Sequence, residues 1–132
     1  MSRRQIREHI FKMLFRVEFN SPEDMPEQIR LYMEDLEDVS EKDSEHIQKK
    51  YDDIVLKLPE IDQIIEEKAE SWNIHRMGKV DLTIIRLAVY EIKYDDTIPV
   101  SVAINEAVEI AKRFGQDESP AFVNGVLAKM AP

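Results

Sequence analysis

The stretch Val80-Asp81-Leu82-Thr83-Ile84-Ile85-Arg86-Leu87-Ala88-Val89-Tyr90-Glu91-Ile92-Lys93-Tyr94 decides the fold. At helical spacing Val80, Leu82, Ile84, Ile85, Leu87, Ala88, Val89 and Ile92 cover well over half of the circumference of a helix expected from about Met77 to Tyr94. A helix that is apolar on so much of its surface is central and packed by several neighbours. Thr83, Arg86, Tyr90 and Lys93 form the expected polar strip, whereas Asp81 and Glu91 fall inside the apolar sector. An acid there is either paired internally, with Arg76 and Lys79 in reach, or sits on an apolar rim that a protein partner covers.

The neighbours that such a helix needs are found on both sides of it. Ser2 caps a first helix with the apolar stripe Ile6, Ile10, Met13, Leu14 and Val17, ending near Asn20-Ser21-Pro22. A second runs roughly from Pro26 to Leu36 with Ile29, Met33 and Leu36 on one side. Ser40, with Asp43 or Ser44, starts a third through Ile47, Tyr51, Ile54, Val55 and Leu58. Pro59 is expected to stop it and open a fourth, through Ile61, Ile64 and Ile65 to about Glu70. Beyond the central helix, Pro99 at the first helical position opens a sixth, with Val100, Ala103, Ile104, Ala107, Val108, Ala111 and Phe114 inward and Gly115 as its stop. Ser119 and Pro120 open a short last helix from Ala121 to about Lys129. Asn124 and Gly125 are poor helix residues, so Gly125 is expected to allow close helix approach and Asn124 to bond a neighbouring carbonyl. The expectation is an all-α fold, a bundle of about seven helices in two small sub-bundles around the fifth helix. No repeat, linker or low-complexity tract divides residues 1–132, which are read as one domain.

At 43% hydrophobic and 34% charged, the 132 residues bury enough apolar surface to exclude disorder for most of the chain. The absence of cysteine excludes disulfide scaffolds, thiolate metal sites and cysteine nucleophiles. No apolar run approaches the ~18 residues of a membrane span, and no signal-like stretch follows the N-terminus; a soluble, cytoplasmic protein is expected. The net charge of −9 argues against a nucleic-acid partner only if it is evenly spread. It is segregated. Residues 1–16 hold Arg3, Arg4, Arg7, Lys12 and Arg16 against Glu8, a net +4, whereas residues 17–47 hold two cations against eleven acids, a net −9.

Catalytic signals are sparse. His9, His46 and His75 have no second histidine or clustered carboxylates one turn away, so neither a metal site nor a cofactor is expected. Gly78, Gly115 and Gly125 are too far apart for a phosphate loop or dinucleotide fingerprint. The first helix is different. Arg4, Arg7, Phe11 and Phe15 cluster on the side opposite its apolar stripe. The phenylalanines either stack on RNA bases or pack against a second bundle. The arginines oppose the helix dipole at the N-terminus and find no local acid beyond Glu8, which points to a phosphate-binding role.

The run from Val80 to Glu91, then Ile98-Pro99, Val102-Ala103-Ile104-Asn105-Glu106-Ala107-Val108-Glu109-Ile110-Ala111-Lys112, Phe114-Gly115 and Phe122-Val123-Asn124-Gly125-Val126-Leu127 resembles the bacterial transcription antitermination factor NusB family. The resemblance covers essentially the whole chain. It implies an all-helical fold of two small bundles and a non-enzymatic role: binding single-stranded boxA-type RNA of ribosomal RNA leader transcripts together with ribosomal protein NusE, in an antitermination complex on RNA polymerase. It carries Arg3, Arg4, Arg7 and Phe15 onto an RNA-facing basic and aromatic helix. Phe11 and Lys12 complete the candidate RNA set on that helix, and Phe122 joins it from the last one. Glu118 and Asp81 match acidic positions near the partner, and Glu91 is grouped with them. The family's first helix usually reads Arg-Arg-x-Ala-Arg with a later Gln and Tyr, where this chain has Ile6, Lys12 and Phe15. Phe15 stacks but donates no hydroxyl.

A protein-protein adaptor without direct RNA contact is the alternative, with the arginines solubilising a terminus. NusB-like domains also occur fused to ribosomal RNA methyltransferases, but the chain ends at Pro132 without room for a cofactor-binding domain, so no enzyme is expected. Both a monomer and a homodimer that hides the RNA or partner face are compatible with the sequence of the free protein.

Overall fold

A computed structural model describes residues 1–69 and 73–131. Its elements are α1 (Arg3–Phe15), a 3-10 turn (Arg16–Glu18), α2 (Met25–Glu34), α3 (Glu41–Lys68), a second 3-10 turn (Ile74–Arg76), α4 (Lys79–Tyr94), α5 (Val100–Phe114) and α6 (Ser119–Ala128). Among the described residues there are thus six α-helices, and the fold is all-α. No helix of the described residues is long and apolar enough to cross a membrane. The chain divides into two compact units, Met1–Val55 and Leu56–Pro132. The expected division around the fifth helix is corrected: that helix, α4, lies within the second unit, and α3 is the element whose residues belong to both.

In the first unit Ser2 caps α1 as its position predicts, and Gln5 completes a capping box: Ser2 Oγ accepts from Gln5 N at 3.1 Å and Gln5 Oε1 from Ser2 N at 2.9 Å. The last turn of α1 tightens into the 3-10 turn, where Lys12 O accepts from Arg16 Nη1 at 2.7 Å and Arg16 O accepts from Asn20 Nδ2 at 2.8 Å. The N-terminal ammonium pairs with Asp43 of α3 at 3.1 Å, which fixes where the basic end of α1 begins. Ile10, Met13, Leu14, Ile29, Ile47 and Ile54 are buried here. Ser40 starts α3, its Oγ accepting from Asp43 N at 3.1 Å.

Pro59 does not end the third helix: α3 is a single helix of 28 residues with Pro59 inside it. The expected end of a separate fourth helix near Glu70 lies outside the described residues. Proline removes one backbone hydrogen bond and costs about 3 kcal/mol in a helix interior. Tyr51, Ile54, Leu58, Ile61 and Ile65 nevertheless keep one helical phase across it, and Ile54, Ile61 and Ile65 are all completely buried. At about 1.5–3 kcal/mol for each buried side chain, continuing the stripe outweighs the proline, which is exposed.

In the second unit α4, α5 and α6 pack on one another. Leu82, Ile84, Ile85, Leu87, Ala88 and Val89 of α4 are buried, as are Ala103, Ala107 and Ala111 along α5 and Val123, Val126 and Leu127 of α6. Arg86 pins α4 to the second half of α3 by a two-pronged pair with Asp62, at 2.8 and 2.9 Å. Tyr94 Oη donates to Glu60 at 2.8 Å, which raises the Tyr94 hydroxyl above its ordinary range.

The close approach expected at Gly125 is found instead at Gly115, which also ends α5 as expected. Gly115 ends α5 with extended backbone at φ −93°, not in the left-handed region. A Cβ there would come within 2.6 Å of Ser119 Cβ and Oγ and 2.8 Å of Ala111 O, so Gly115 is needed for close approach. It makes room for Ser119, whose Oγ accepts from Gln116 N at 3.0 Å. A Cβ at Gly125 would meet nothing within 4 Å, and Asn124 beside it is exposed. Close packing therefore does not account for Gly125.

Candidate RNA-binding helix and partner-facing acids

The first unit presents its basic residues at the N-terminal end of α1. Arg3 and Arg4 are exposed there, in a first turn without an acid. Cations at a helix N-terminus work against the macrodipole, which makes the exposed Arg3 and Arg4 the candidates for a phosphate contact. Lys12, one face round in the last turn, is half-buried. Arg16 is committed to the fold: besides bonding Lys12 O, its guanidinium lies 4.6 Å above the centre of the Tyr32 ring. Tyr32 Oη also meets His9 Nδ1 at 2.6 Å, tying α2 to α1. Burial, and next the charge of Lys12, hold the His9 imidazole below its ordinary value.

The buried arc of α1 is wider than the Ile6 to Val17 stripe. It swings over Arg7, Phe11 and Leu14, which lie four and three residues apart on one face and are 7%, 3% and 2% exposed. Arg7 and Phe11 are thus corrected from surface to interior: the packing alternative holds for Phe11, and no RNA base reaches its ring in this conformation. Phe15 is half-buried between two aromatic neighbours. Its ring is stacked on Phe11 at 6.0 Å and 23°, and meets Phe19 edge-on at 5.0 Å and 70°. Phe19 is 60% exposed, so the ladder Phe11, Phe15, Phe19 runs from interior to surface. Sequence reasoning missed Phe19, although its spacing of four from Phe15 and eight from Phe11 was the available signal.

The second unit holds the remaining candidates. Asp81, in the first turn of α4, is half-buried at a helix start that favours an acid. Glu118 is exposed at the N-cap of α6, and Phe122 one turn on is half-buried. Glu91 is different: it is 1% exposed. Because α4 is packed almost all round, an acid in its apolar sector is held in the interior, and the partner-facing role read for Glu91 is corrected. The same packing buries Thr83 and Tyr90 of the expected polar strip, Thr83 returning its hydroxyl to Lys79 O at 2.7 Å.

A family model for the NusB family matches residues 4–132. The chain belongs to the NusB family. A transcription antitermination protein NusB of Lachnoclostridium phytofermentans is 51% identical over 130 residues, 98% of each chain. NusB of T. maritima, a solved structure, superposes with a TM-score of 0.84 at 36% identity over 99% of this chain and 91% of that one. A crystal structure of antitermination factors NusB and NusE in complex with dsRNA gives a TM-score of 0.79 at 25% identity, over 97% of this chain and 94% of that one.

For a NusB-family helix α1, the geometry sorts the candidates by access. Arg3 and Arg4 are open to a phosphate backbone, Lys12, Phe15 and Phe122 are partly open, and Arg7, Phe11 and Glu91 are inside. Phe19 adds the most exposed ring of the helix and its tail.

Proposed function

We propose that this NusB-family protein is a non-enzymatic transcription antitermination factor of the cytoplasm that binds boxA-type RNA of ribosomal RNA leader transcripts jointly with ribosomal protein NusE, and so promotes antitermination by RNA polymerase. The observation that carries the reading is the exposed Arg3-Arg4 end of α1, in a chain similar over nearly its full length to one solved with NusE and RNA. Arg3, Arg4 and Lys12 hold phosphates, and Phe15 with Phe19 offers rings on which splayed bases stack. Asp81 and Glu118 supply negative charge for a basic protein partner, which raises the rate of encounter.

With a net charge of −9 and few accessible cations on α1, the protein alone binds RNA weakly. A second protein surface adds contacts on the same RNA and converts weak binding into specific binding. Fluorescence anisotropy of labelled single-stranded boxA RNA should show affinity rising by at least about tenfold when NusE is added. No gain from NusE rejects joint binding. The RNA of the similar complex is double-stranded, so the same titration with boxA annealed to its complement is informative: tighter binding of the duplex rejects stacking on Phe15 and Phe19.

The burial of Arg7 and Phe11 favours a second reading, an adaptor that joins proteins without touching RNA. It requires RNA affinity to be indifferent to Arg3 and Arg4.

A further inference from the structure

The first unit contains an apolar groove that neither the RNA-facing end of α1 nor the partner-facing acids use. Its volume is about 620 Å³. Met25, Ile29 and Met33 of α2 line it together with Tyr51 and Val55 of α3. Met25, Ile29 and Tyr51 are buried and form its floor, whereas Met33 and Val55 are partly open. Burial, and next the charge of Asp52, push the Tyr51 hydroxyl up to about 12, so the floor carries no charge at neutral pH. The polar groups lie along the two sides: Arg30 and Glu34 from α2, Gln48 and Asp52 from α3.

The rim is acidic in effect. Arg30 is clamped by Glu27, through Nε at 2.9 Å and a second contact at 2.5 Å, and by Glu34 on its other side, so one cation stands between two acids and the cluster keeps a net negative charge. Asp52 accepts an amide hydrogen bond from Gln48 at 3.0 Å, which leaves its charge unneutralised by that contact. Residues 22–38, which carry α2, hold seven acids and Arg30 alone as a cation.

We propose that this α2–α3 groove is a docking site for a cationic amphipathic helix of a partner protein, whose apolar stripe seats on Met25, Ile29, Met33, Tyr51 and Val55 and whose flanking Lys or Arg residues meet Glu34 and Asp52. A trough between two helices with apolar floor and charged edges has the form that receives apolar anchors at helical spacing. A small-molecule pocket instead converges a few polar groups on its ligand, and here the polar groups are kept to the edges. Two methionines in the lining let the trough adapt to the side chains it receives. The lining includes none of Arg3, Arg4, Lys12, Phe15, Asp81 and Glu118, so the inference does not depend on the RNA reading.

The test uses the full chain, labelled at its Met, Ile and Val methyl groups, and a synthetic helical peptide of about 18 residues built from Leu at i, i+3, i+4 and i+7 spacing with Lys elsewhere. Methyl NMR should show saturable shifts centred on Met25, Ile29, Met33 and Val55. Binding should weaken by about tenfold or more in Glu34→Lys/Asp52→Lys, whose altered residues are exposed and leave the floor intact, and should vanish for the peptide with Glu in place of Lys. Shifts absent from these methyls, an affinity unchanged by the double substitution, or equal binding of the Glu peptide would overturn the proposal. So would 1-anilinonaphthalene-8-sulfonate shifting these methyls while the Lys peptide does not, since the groove would then be a small-ligand pocket.

Discussion

Helices α1 and α4 both carry polar residues on faces where apolar ones belong, and the structure treats the two cases differently. In α4 the apolar sector closes almost round the helix, and Thr83, Tyr90 and Glu91 are drawn into the interior with it. In α1 the buried arc takes Arg7 and Phe11 inside but leaves Arg3 and Arg4 exposed at the N-terminal end. A polar residue out of pattern is therefore not by itself a mark of function. It is a better candidate where the helix end emerges from the packing, as Arg3 and Arg4 do at the positive end of the α1 dipole.

The comparison breaks if Glu91 behaves as a surface residue. Glu91→Ala is expected to cost about 3 kcal/mol in urea unfolding, because a buried acid leaves its partners unsatisfied, with RNA and NusE affinity of the folded fraction changed less than about twofold. A variant that keeps its stability and loses NusE would put Glu91 back on the partner face. A smaller effect separates the glycines of the same unit. Gly115→Ala should destabilise by about 2 kcal/mol, since the new methyl meets Ser119 and the Ala111 carbonyl, whereas Gly125→Ala should stabilise by about 0.5 kcal/mol through helix propensity alone. Similar thermal midpoints for the two would contradict the close approach at Gly115.

The smallest expected effect belongs to α1. His9 has its folded-state pKa lowered from 6.5, so the unfolded chain binds more protons in the window just below that value. The contribution of His9 is complete above about pH 6.5 and is lost as pH falls through the folded-state value. Urea midpoints measured from about pH 7.5 down to about pH 5.5 should fall less steeply in His9→Gln than in the parent. Equal slopes would mean that burial and the charge of Lys12 do not favour the neutral imidazole.

The legible part of the fold was the part set by local chemistry. Ser2 and Ser40 start helices where their hydroxyls accept backbone N–H groups, Pro99 and Gly115 bound α5, and the Val80 to Tyr94 run is the most buried helix of its unit. What was misread depends on neighbours. Pro59 is overridden because the apolar phase continues beyond it, and the weight of that burial is a property of the packed chain. Arg7 and Phe11 were placed opposite the α1 stripe because periodicity gives the centre of a buried arc, not its width. Of the candidate RNA residues, the exposure of the terminal Arg3 and Arg4 follows from their place ahead of the apolar stripe, while Phe19 was overlooked because it lies past the regular helix, after the 3-10 turn.

The most direct test of the central claim is a titration of boxA RNA, with NusE present, by Arg3→Ala/Arg4→Ala across a range of salt concentrations. Both residues are exposed, so stability should change by no more than about 0.5 kcal/mol. The account predicts an affinity loss of about tenfold or more at low salt, and a slope of log affinity against log salt that is shallower by about 0.7 for each phosphate contact removed. Unchanged affinity and unchanged slope would contradict an RNA-binding α1 and leave the adaptor reading.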